Sequence, residues 1–85
     1  MKAGYFSPKE LGQAIQAERK ALGRTQQWVA SQCGIRPATV SDIETGKNVE
    51  MFTVMMVLNA LGKGLNIVDR HVELSQARGI FHEED

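Results

Sequence analysis

Residues 26–43, QQWVASQCGIRPATVSDI, decide the fold of this 85-residue chain. Within this stretch five residues recur at fixed offsets, in the order Gln26, Ala30, Gly34, Val40 and Ile43. Ala30 is small enough for a following helix to cross close above it, and Gly34 suits the left-handed backbone of a tight turn. Val40 and Ile43 lie on one face of that following helix and anchor it in a core. The spacing therefore predicts two short helices that cross each other after a turn at Gly34.

Capping signals on the N-terminal side of this stretch predict an earlier helix. Ser7 is placed to cap it, Pro8 suits its first position, and Glu10 lies three residues after the cap. Phe6 and Leu11 have the spacing of a hydrophobic staple across the helix start. Apolar residues at helical spacing follow, and they are Leu11, Ala14, Ile15, Ala21 and Leu22. Gly23 is placed to end this helix.

The later helices are marked in the same way. Thr25 predicts the start of the second helix, which runs to about Cys33, and Pro37 opens the third, which stops at Gly46. A fourth helix is predicted from about Glu50 to Leu61, with Asn48 as its cap. On a helical wheel its inward arc contains Met51, Val54, Met55, Leu58 and Leu61. Phe52, Met56 and Ala60 lie on the opposite side.

The outward apolar face of the fourth helix predicts a dimer. A helix that is apolar nearly all round is normally buried on both faces, so Phe52 and Met56 are expected to meet a second subunit. Residues 65–69, LNIVD, alternate between apolar and polar and read as a short strand. No second strand is predicted in the chain, so Leu65 and Ile67 are expected to pair with their own copies across a two-fold axis.

Basic and acidic residues are balanced over the whole chain but not along it. Ten Lys and Arg against ten Asp and Glu give a formal net charge of zero. Residues 1–64 carry eight basic and five acidic side chains, a charge of +3, whereas residues 65–85 carry a charge of −3. Together with the helix and strand predictions, this polarity divides the chain into three regions: a helical domain over residues 1–64, a dimerisation strand over 65–70, and a flexible acidic tail over 71–85.

Several classes of protein are excluded by the same inventory. Cys33 is the only cysteine, so no internal disulfide can form and a reducing cytoplasm is expected. The longest uninterrupted apolar run, Val54 to Leu58, is far shorter than the about 20 residues of a membrane helix. His71 and His82 have no further ligand at metal-site spacing. No catalytic constellation or phosphate-binding loop is present, so the sequence predicts neither an enzyme nor a cofactor.

Residues 19–46, RKALGRTQQWVASQCGIRPATVSDIETG, resemble the lambda-repressor-like, XRE-type helix-turn-helix family. The resemblance covers about residues 7–62 and implies that the domain over residues 1–64 is a helix-turn-helix DNA-binding domain. It implies a mainly α fold of four to five short helices, in which the second and third helices form the DNA reader. It also implies a structural ion pair, because Arg19 and Glu44 occupy the positions of an Arg late in the first helix and a Glu at the end of the third.

The resemblance places base reading at the start and outer face of the third helix. It implies that Arg36 bonds a guanine edge, that Ala38 contacts a thymine methyl, and that Thr39 and Ser41 lie close to DNA. Arg36 stands where a capping Ser is usual, which favours a role in DNA binding, although a solvated turn residue is the alternative. Asp42 is left without a role. Phosphate contacts are predicted for three further residues, Gln26, Lys47 and Asn48.

The order of the elements resembles the HipB-type antitoxins. The segments SPKELG and RKALG and an apolar strand directly after the fourth helix carry this resemblance. It implies a homodimer that represses its own operon at an inverted-repeat operator and binds a HipA-like kinase toxin. Trp28 and Phe81 are candidate toxin contacts. Alternatively, Trp28 packs against Tyr5 and Phe6 of its own chain, and Phe81 belongs to a disordered tail.

Two other functions remain open at the level of sequence. One is a free-standing phage or restriction-system regulator of the XRE type, with no toxin partner. The other is an antitoxin that acts chiefly through protein interaction and binds DNA only weakly by itself. The acidic region after Gly64, together with Trp28 and Phe81, favours the latter.

Overall fold

The computed structural model describes residues 4–5 and 7–69. This part of the chain contains four helices, in the order α1 (Pro8–Ala21), α2 (Gln26–Cys33), α3 (Pro37–Glu44) and α4 (Met51–Ala60). The predicted staple residue Phe6 and the predicted tail over residues 71–85 lie outside the described residues. Among the described residues no helix is long and apolar enough to cross a membrane.

The first two helices begin where their caps predict. The Ser7 hydroxyl accepts a hydrogen bond from the Glu10 N–H at 3.1 Å, and the Thr25 hydroxyl accepts one from the Trp28 N–H at 3.0 Å. The cap predicted for the fourth helix is wrong. Glu50, not Asn48, precedes α4, and its side chain makes no capping bond. Asn48 lies two residues too early for its side chain to reach the free N–H groups of a helix that starts at Met51.

One apolar core joins all four helices, formed by Ile15, Val29, Ala30, Val40, Ile43, Val54, Val57, Leu58 and Leu61. The wheel prediction for α4 is correct at Val54, Leu58 and Leu61 but wrong at Met51 and Val57. Val57, which it omitted, is fully buried, and Met51 is 63% exposed. Helical side chains lean toward the N-terminus, so the first residue of a helix covers the space before the helix rather than the core beneath it.

The apolar spacing of α1 does not correspond to burial at the end of the helix. Ala21 is exposed, and Leu22, which caps the C-terminus of the helix, is 52% exposed. In the last turn of α1 the buried residue is Arg19.

The start of α1 lies against the end of α3 at very short range. A Cβ atom added to Gly12 would contact the Ile43 carbonyl oxygen and lie 2.8 Å from the Glu44 carbonyl oxygen. A Cβ atom added to Gly46 would lie 2.8 Å from the Cα atom of Lys9. Two glycines therefore let two backbones touch, and this contact fixes the direction of α3.

Residues 63–69 form no regular secondary structure within the single chain. Val68 packs back against Gly4, whereas Leu65 is 46% and Ile67 97% exposed. The strand predicted here depends on pairing with a second copy, so it stays a prediction.

Candidate nucleic-acid interface

The turn between α2 and α3 has the geometry that the sequence predicts. Gly34 has φ +69° and ends α2 in the left-handed conformation, in which a side chain would be strained. The Ile35 N–H donates to the Ala30 carbonyl at 3.0 Å and closes the turn. Ala30 is 1% exposed, as expected for a small residue under a crossing helix. The backbone therefore holds α2 and α3 as one unit.

The start of α3 is the exposed part of this unit. Val40 and Ile43 are buried, and this turns Arg36, Pro37 and Ala38 out to solvent. Thr39 and Ser41 are half-buried on the flanks of the helix. Arg36 is the N-cap residue of α3, but its side chain makes no capping hydrogen bond. Its guanidinium is therefore not engaged in capping the helix. All four base-reading candidates, Arg36, Ala38, Thr39 and Ser41, thus reach the surface at one end or side of α3.

A buried ion pair fixes the other end of α3. The Arg19 Nε donates to the Glu44 Oε2 at 2.6 Å, and a second guanidinium nitrogen donates to the Glu44 Oε1 at 3.1 Å. Arg19 also donates to the Arg24 carbonyl at 2.7 Å. Arg19 is 7% and Glu44 4% exposed, so water competes little for the hydrogen bonds of this bidentate ion pair. It connects α1, the loop before α2, and the C-terminus of α3.

The environment of this pair shifts both pKa values. Burial raises the pKa of Glu44, but hydrogen bonds from Arg19, Gln26 and Gln16 and the Arg19 charge outweigh burial and leave the pKa below its usual range. The hydrogen bond to Glu44 raises the pKa of Arg19 despite its burial. Both groups are therefore charged at neutral pH.

Gln26, a predicted phosphate contact, is partly committed to the same network. Its Nε2 donates to the Glu44 Oε1 at 3.0 Å, which leaves one amide proton and the backbone N–H for another acceptor. The bond also sets the direction of the side chain at the start of α2. One of the two amide protons of Gln26 is therefore already used within the fold, and its phosphate contact stays a prediction.

The loop after α3 carries the other two predicted phosphate contacts. Lys47 and Asn48 are exposed. The Lys47 ammonium lies 3.7 Å from the Asp42 carboxylate, and the Lys47 N–H donates to the Asp42 carbonyl at 2.9 Å. Asp42, to which the sequence assigned no role, is therefore a neighbour of Lys47, and its charge partly offsets that of the lysine.

The candidate protein-contact residues lie elsewhere on the surface. Phe52 is 73% exposed, and Met56 is half-buried, with its carbonyl 3.5 Å from the Cys33 sulfur. Burial raises the pKa of the Cys33 thiol. Phe52 and Met56 lie on α4, whereas the predicted base-reading residues lie at the start and sides of α3.

Trp28 adopts an arrangement that neither sequence interpretation anticipated. It is half-buried against the core, and the Arg24 guanidinium carbon lies 4.2 Å above the centre of its ring. Of the two neighbours proposed as the alternative, Tyr5 lines a groove with Leu11, and Phe6 lies outside the described residues. The spacing of four between Arg24 and Trp28 was the signal that could have predicted the stack. Phe81 lies outside the described residues.

Comparison with known proteins identifies the family. A helix-turn-helix family model matches residues 15–68. A comparison with curated proteins gave no match. Among solved structures, the chain is similar to one in the HipA-HipB-O2-O3 complex, with a TM-score of 0.76 and 28% identity over 82% of this chain and 100% of that chain.

Two further solved structures are regulators. The chain is similar to the clp gene regulator ClgR from C. glutamicum, with a TM-score of 0.64 and 29% identity over 75% of this chain and 85% of that chain. It is also similar to the restriction-modification controller protein C.AhdI from Aeromonas hydrophila, with a TM-score of 0.61 and 26% identity over 66% of this chain and 86% of that chain. The family match spans more than half of the chain, so the protein belongs to the XRE-type helix-turn-helix family as a HipB-like DNA-binding regulator.

Proposed function

We propose that this protein is the antitoxin of a type II toxin-antitoxin operon. As a homodimer it represses the operon by binding an inverted-repeat operator, and it also binds a HipA-like kinase toxin. The observation that carries the DNA-binding half is the exposed start of α3, where Arg36 and Ala38 project from a helix whose other end is fixed by the buried Arg19–Glu44 pair.

Base reading follows from the chemistry of the exposed residues. Arg36 carries a planar guanidinium that fits the two acceptors of a guanine edge in the major groove. Ala38 offers a methyl group to thymine, and the hydroxyls of Thr39 and Ser41 can bond bases or phosphates. A rigid α3 makes these contacts specific, because a helix that rocked would lose the alignment of the guanidinium.

Phosphate contacts on both sides of α3 set its depth in the groove. Gln26 stands at the start of α2, where free N–H groups favour an anion, and Lys47 and Asn48 follow α3. Gln26 and the end of α3 are joined through Glu44, so the phosphate contacts and the base reader move as one body.

A dimer supports both the fold and the DNA site. A chain of 85 residues buries a limited core, and Phe52, Leu65 and Ile67 leave large apolar side chains in water. Covering them with a second copy stabilises the protein and repeats α3 by two-fold symmetry. Two half-sites about one helical turn apart are the matching DNA geometry.

The toxin half of the proposal rests on similarity. A solved structure similar to this chain contains HipA together with HipB. The candidate contacts on this chain are Trp28, with the Arg24 guanidinium stacked on it, and Phe81. An indole beside a cation offers both an apolar surface and a hydrogen-bond donor, and such residues are common at the centre of protein interfaces.

Arg36→Ala tests the DNA-binding half. Duplexes about 30 base pairs long are selected from a randomised library with the full-length protein, and binding is then measured to the selected duplex and to one of random sequence. We expect Arg36→Ala to weaken binding to the selected duplex by about 1 to 3 kcal/mol, or about 5- to 150-fold, with the fold intact by circular dichroism. The ratio of specific to non-specific affinity falls accordingly.

Arg24→Ala is the matched control, because it removes the same charge from outside α3. It is expected to leave the ratio of specific to non-specific affinity unchanged. An unchanged ratio in Arg36→Ala would remove Arg36 from base reading. Failure to select any duplex would favour the alternative in which the antitoxin binds DNA only weakly by itself.

A free-standing regulator is the second candidate, favoured by the similarity to ClgR and C.AhdI. The test is to express the tagged chain together with the kinase encoded next to this gene. If the protein is an antitoxin, we expect the two to co-purify as a complex with equal amounts of each chain. Absence of a HipA-like kinase gene next to this one would favour the free-standing regulator.

A further inference from the structure

Lys9 lies beside the loop that follows α3. The backbone of Gly46 touches that of Lys9, and the Lys9 Cβ would be 3.2 Å from a Cβ atom added to Gly46. The Lys9 side chain therefore leaves the helix next to Gly46, one residue before Lys47. Ser7, Pro8, Gly46, Lys47 and Asn48 line a groove of about 500 Å³. Lys9 follows Pro8 in the chain and contacts Gly46, so it lies at the edge of this groove.

The position of Lys9 is electrostatically unfavourable for the helix itself. Lys9 occupies the second residue of α1, where the free N–H groups make the helix end partly positive. Lys9 is exposed. Among the residues that the structure describes, no carboxylate forms an ion pair with Lys9, so its ammonium is available to an external anion.

The neighbouring loop needs such a cation if it is to meet an anion. Lys47 is the basic residue of that loop, but the Asp42 carboxylate lies 3.7 Å from its ammonium. The pair contributes little net charge at this edge of the reader. Lys9 adds a positive charge that the Asp42 carboxylate does not pair with, and this charge is carried on a flexible four-carbon side chain.

We propose that Lys9 binds a phosphate of the DNA backbone beside the one approached by Lys47 and Asn48. The proposal rests on the proposed function and adds α1 to the DNA interface. Contact between α1 and the duplex brings the first helix, which the sequence assigned only to the core, into the positioning of α3. The ligand is a phosphodiester of double-stranded DNA, recognised by charge without regard to sequence.

The test measures how the affinity for a 30-base-pair duplex of random sequence depends on salt. Each phosphate contact adds about 0.9 to the slope of log affinity against log salt. We expect Lys9→Met to reduce the slope by about that amount per subunit and to weaken binding roughly fivefold per subunit at 0.15 M salt. Lys9→Arg is expected to retain the slope. The thermal midpoint of Lys9→Met is expected to stay the same or rise.

Lys20→Met is the matched control. Lys20 is exposed on the same helix, and eleven residues bring it to about the same face as Lys9 but about 16 Å further along the axis. It changes the net charge equally, and we expect the slope to stay that of the unmodified protein. An unchanged slope in Lys9→Met, or an equal fall in Lys20→Met, overturns the proposal.

This outcome is distinct from failure of the proposed function. The random duplex reports phosphate contacts alone, whereas base reading is reported by the specificity ratio of Arg36→Ala. If Arg36→Ala lowers that ratio and Lys9→Met leaves the slope unchanged, operator binding stands and only the contact from α1 is wrong.

Discussion

At the residue scale, Glu44 connects the core to the reader. Its carboxylate accepts hydrogen bonds from Arg19 on α1 and Gln26 on α2, and its backbone ends α3. A buried carboxylate is favourable only while these donors remain, because removing one partner leaves the other charge without compensation. Glu44 therefore stabilises the fold and directs Gln26 with the same two oxygens.

Glu44→Gln is expected to destabilise the protein by about 3 kcal/mol at pH 7, because it leaves the Arg19 charge buried and unpaired. The effect depends on pH in a defined direction. The pKa of Glu44 is lowered in the folded state, so its stabilisation is complete above the unfolded value of about 4.3 and is lost as the pH falls through the folded value. Urea unfolding of both proteins at pH 7, 5 and 3.5 should show the gap narrowing with acid.

Glu18→Gln provides the comparison for this experiment. Glu18 pairs with Lys63 at 3.3 Å, but both side chains are 48% exposed. An exposed pair contributes about 0 to 1 kcal/mol, so this variant is expected to resemble the unmodified protein at each pH. A Glu44→Gln curve that runs parallel to the unmodified one would contradict a charged Glu44 in the native state.

Single residues were predictable where the chemistry is local. Ser7 and Thr25 cap their helices, and Gly34 adopts the left-handed backbone conformation. These features depend only on the residue itself and on residues a few positions away in the sequence. The side-chain partners of Gln26 and Asp42 were not predictable. They depend on how α2 and α3 cross, which is set by packing distant in sequence.

At the element scale, the approach of α1 to α3 depends on the absence of a side chain at Gly12. The sequence offers no pattern for this position, because a glycine inside a helix looks like a weak helix former until its neighbour is known. In the structure its Cα faces the carbonyl groups of Ile43 and Glu44. The contact places the end of α3 and, through it, the Arg19–Glu44 pair.

Gly12→Ala is expected to destabilise the protein by about 1 to 3 kcal/mol, because the new methyl group would overlap backbone atoms that cannot rotate away. Thermal unfolding measures the loss. Gly64→Ala is the control, since a Cβ atom there would meet nothing within 4 Å. Equal stability of the two variants would show that α1 and α3 can separate without cost.

The limits of element prediction are clearest in α4. Its first six residues, MFTVMM, are apolar at five positions, so the periodicity contains almost no information about which face is buried. The prediction accordingly missed Val57 and placed Met51 inside. The strand over residues 65–69 is limited differently. Its predicted partner is a second molecule, so the structure of a single chain does not test the prediction.

At the scale of the whole molecule, the first 70 residues and the C-terminal segment carry opposite net charges. Residues 1–70 carry a net charge of +3 and residues 71–85 a net charge of −3. We expect the acidic segment to weaken DNA binding through charge repulsion, and we expect this effect to be strongest at low salt. The family assignment and the charge pattern were both available from the sequence, whereas the residues that share a surface were not.

Removal of residues 71–85 from the full chain is expected to raise the affinity for random-sequence DNA by about tenfold at 0.05 M salt, with the gain shrinking as salt increases. The variant is also expected to lose capture of a HipA-like kinase if Phe81 is part of that contact. Fluorescence anisotropy with a labelled duplex measures the first effect, and co-purification with the kinase measures the second.

A charge-neutralised chain separates these two effects. Replacing Glu73, Glu83 and Glu84 with Gln and Asp85 with Asn removes four negative charges but retains Phe81. If charge repulsion limits DNA binding, the affinity of this variant for DNA should increase at least as much as that of the deletion variant, because its net positive charge is higher. If Phe81 anchors the kinase, it still captures the kinase while the deletion does not. Loss of capture in both would assign the contact to the acidic groups, and an affinity unchanged in both would show that the segment does not influence DNA binding.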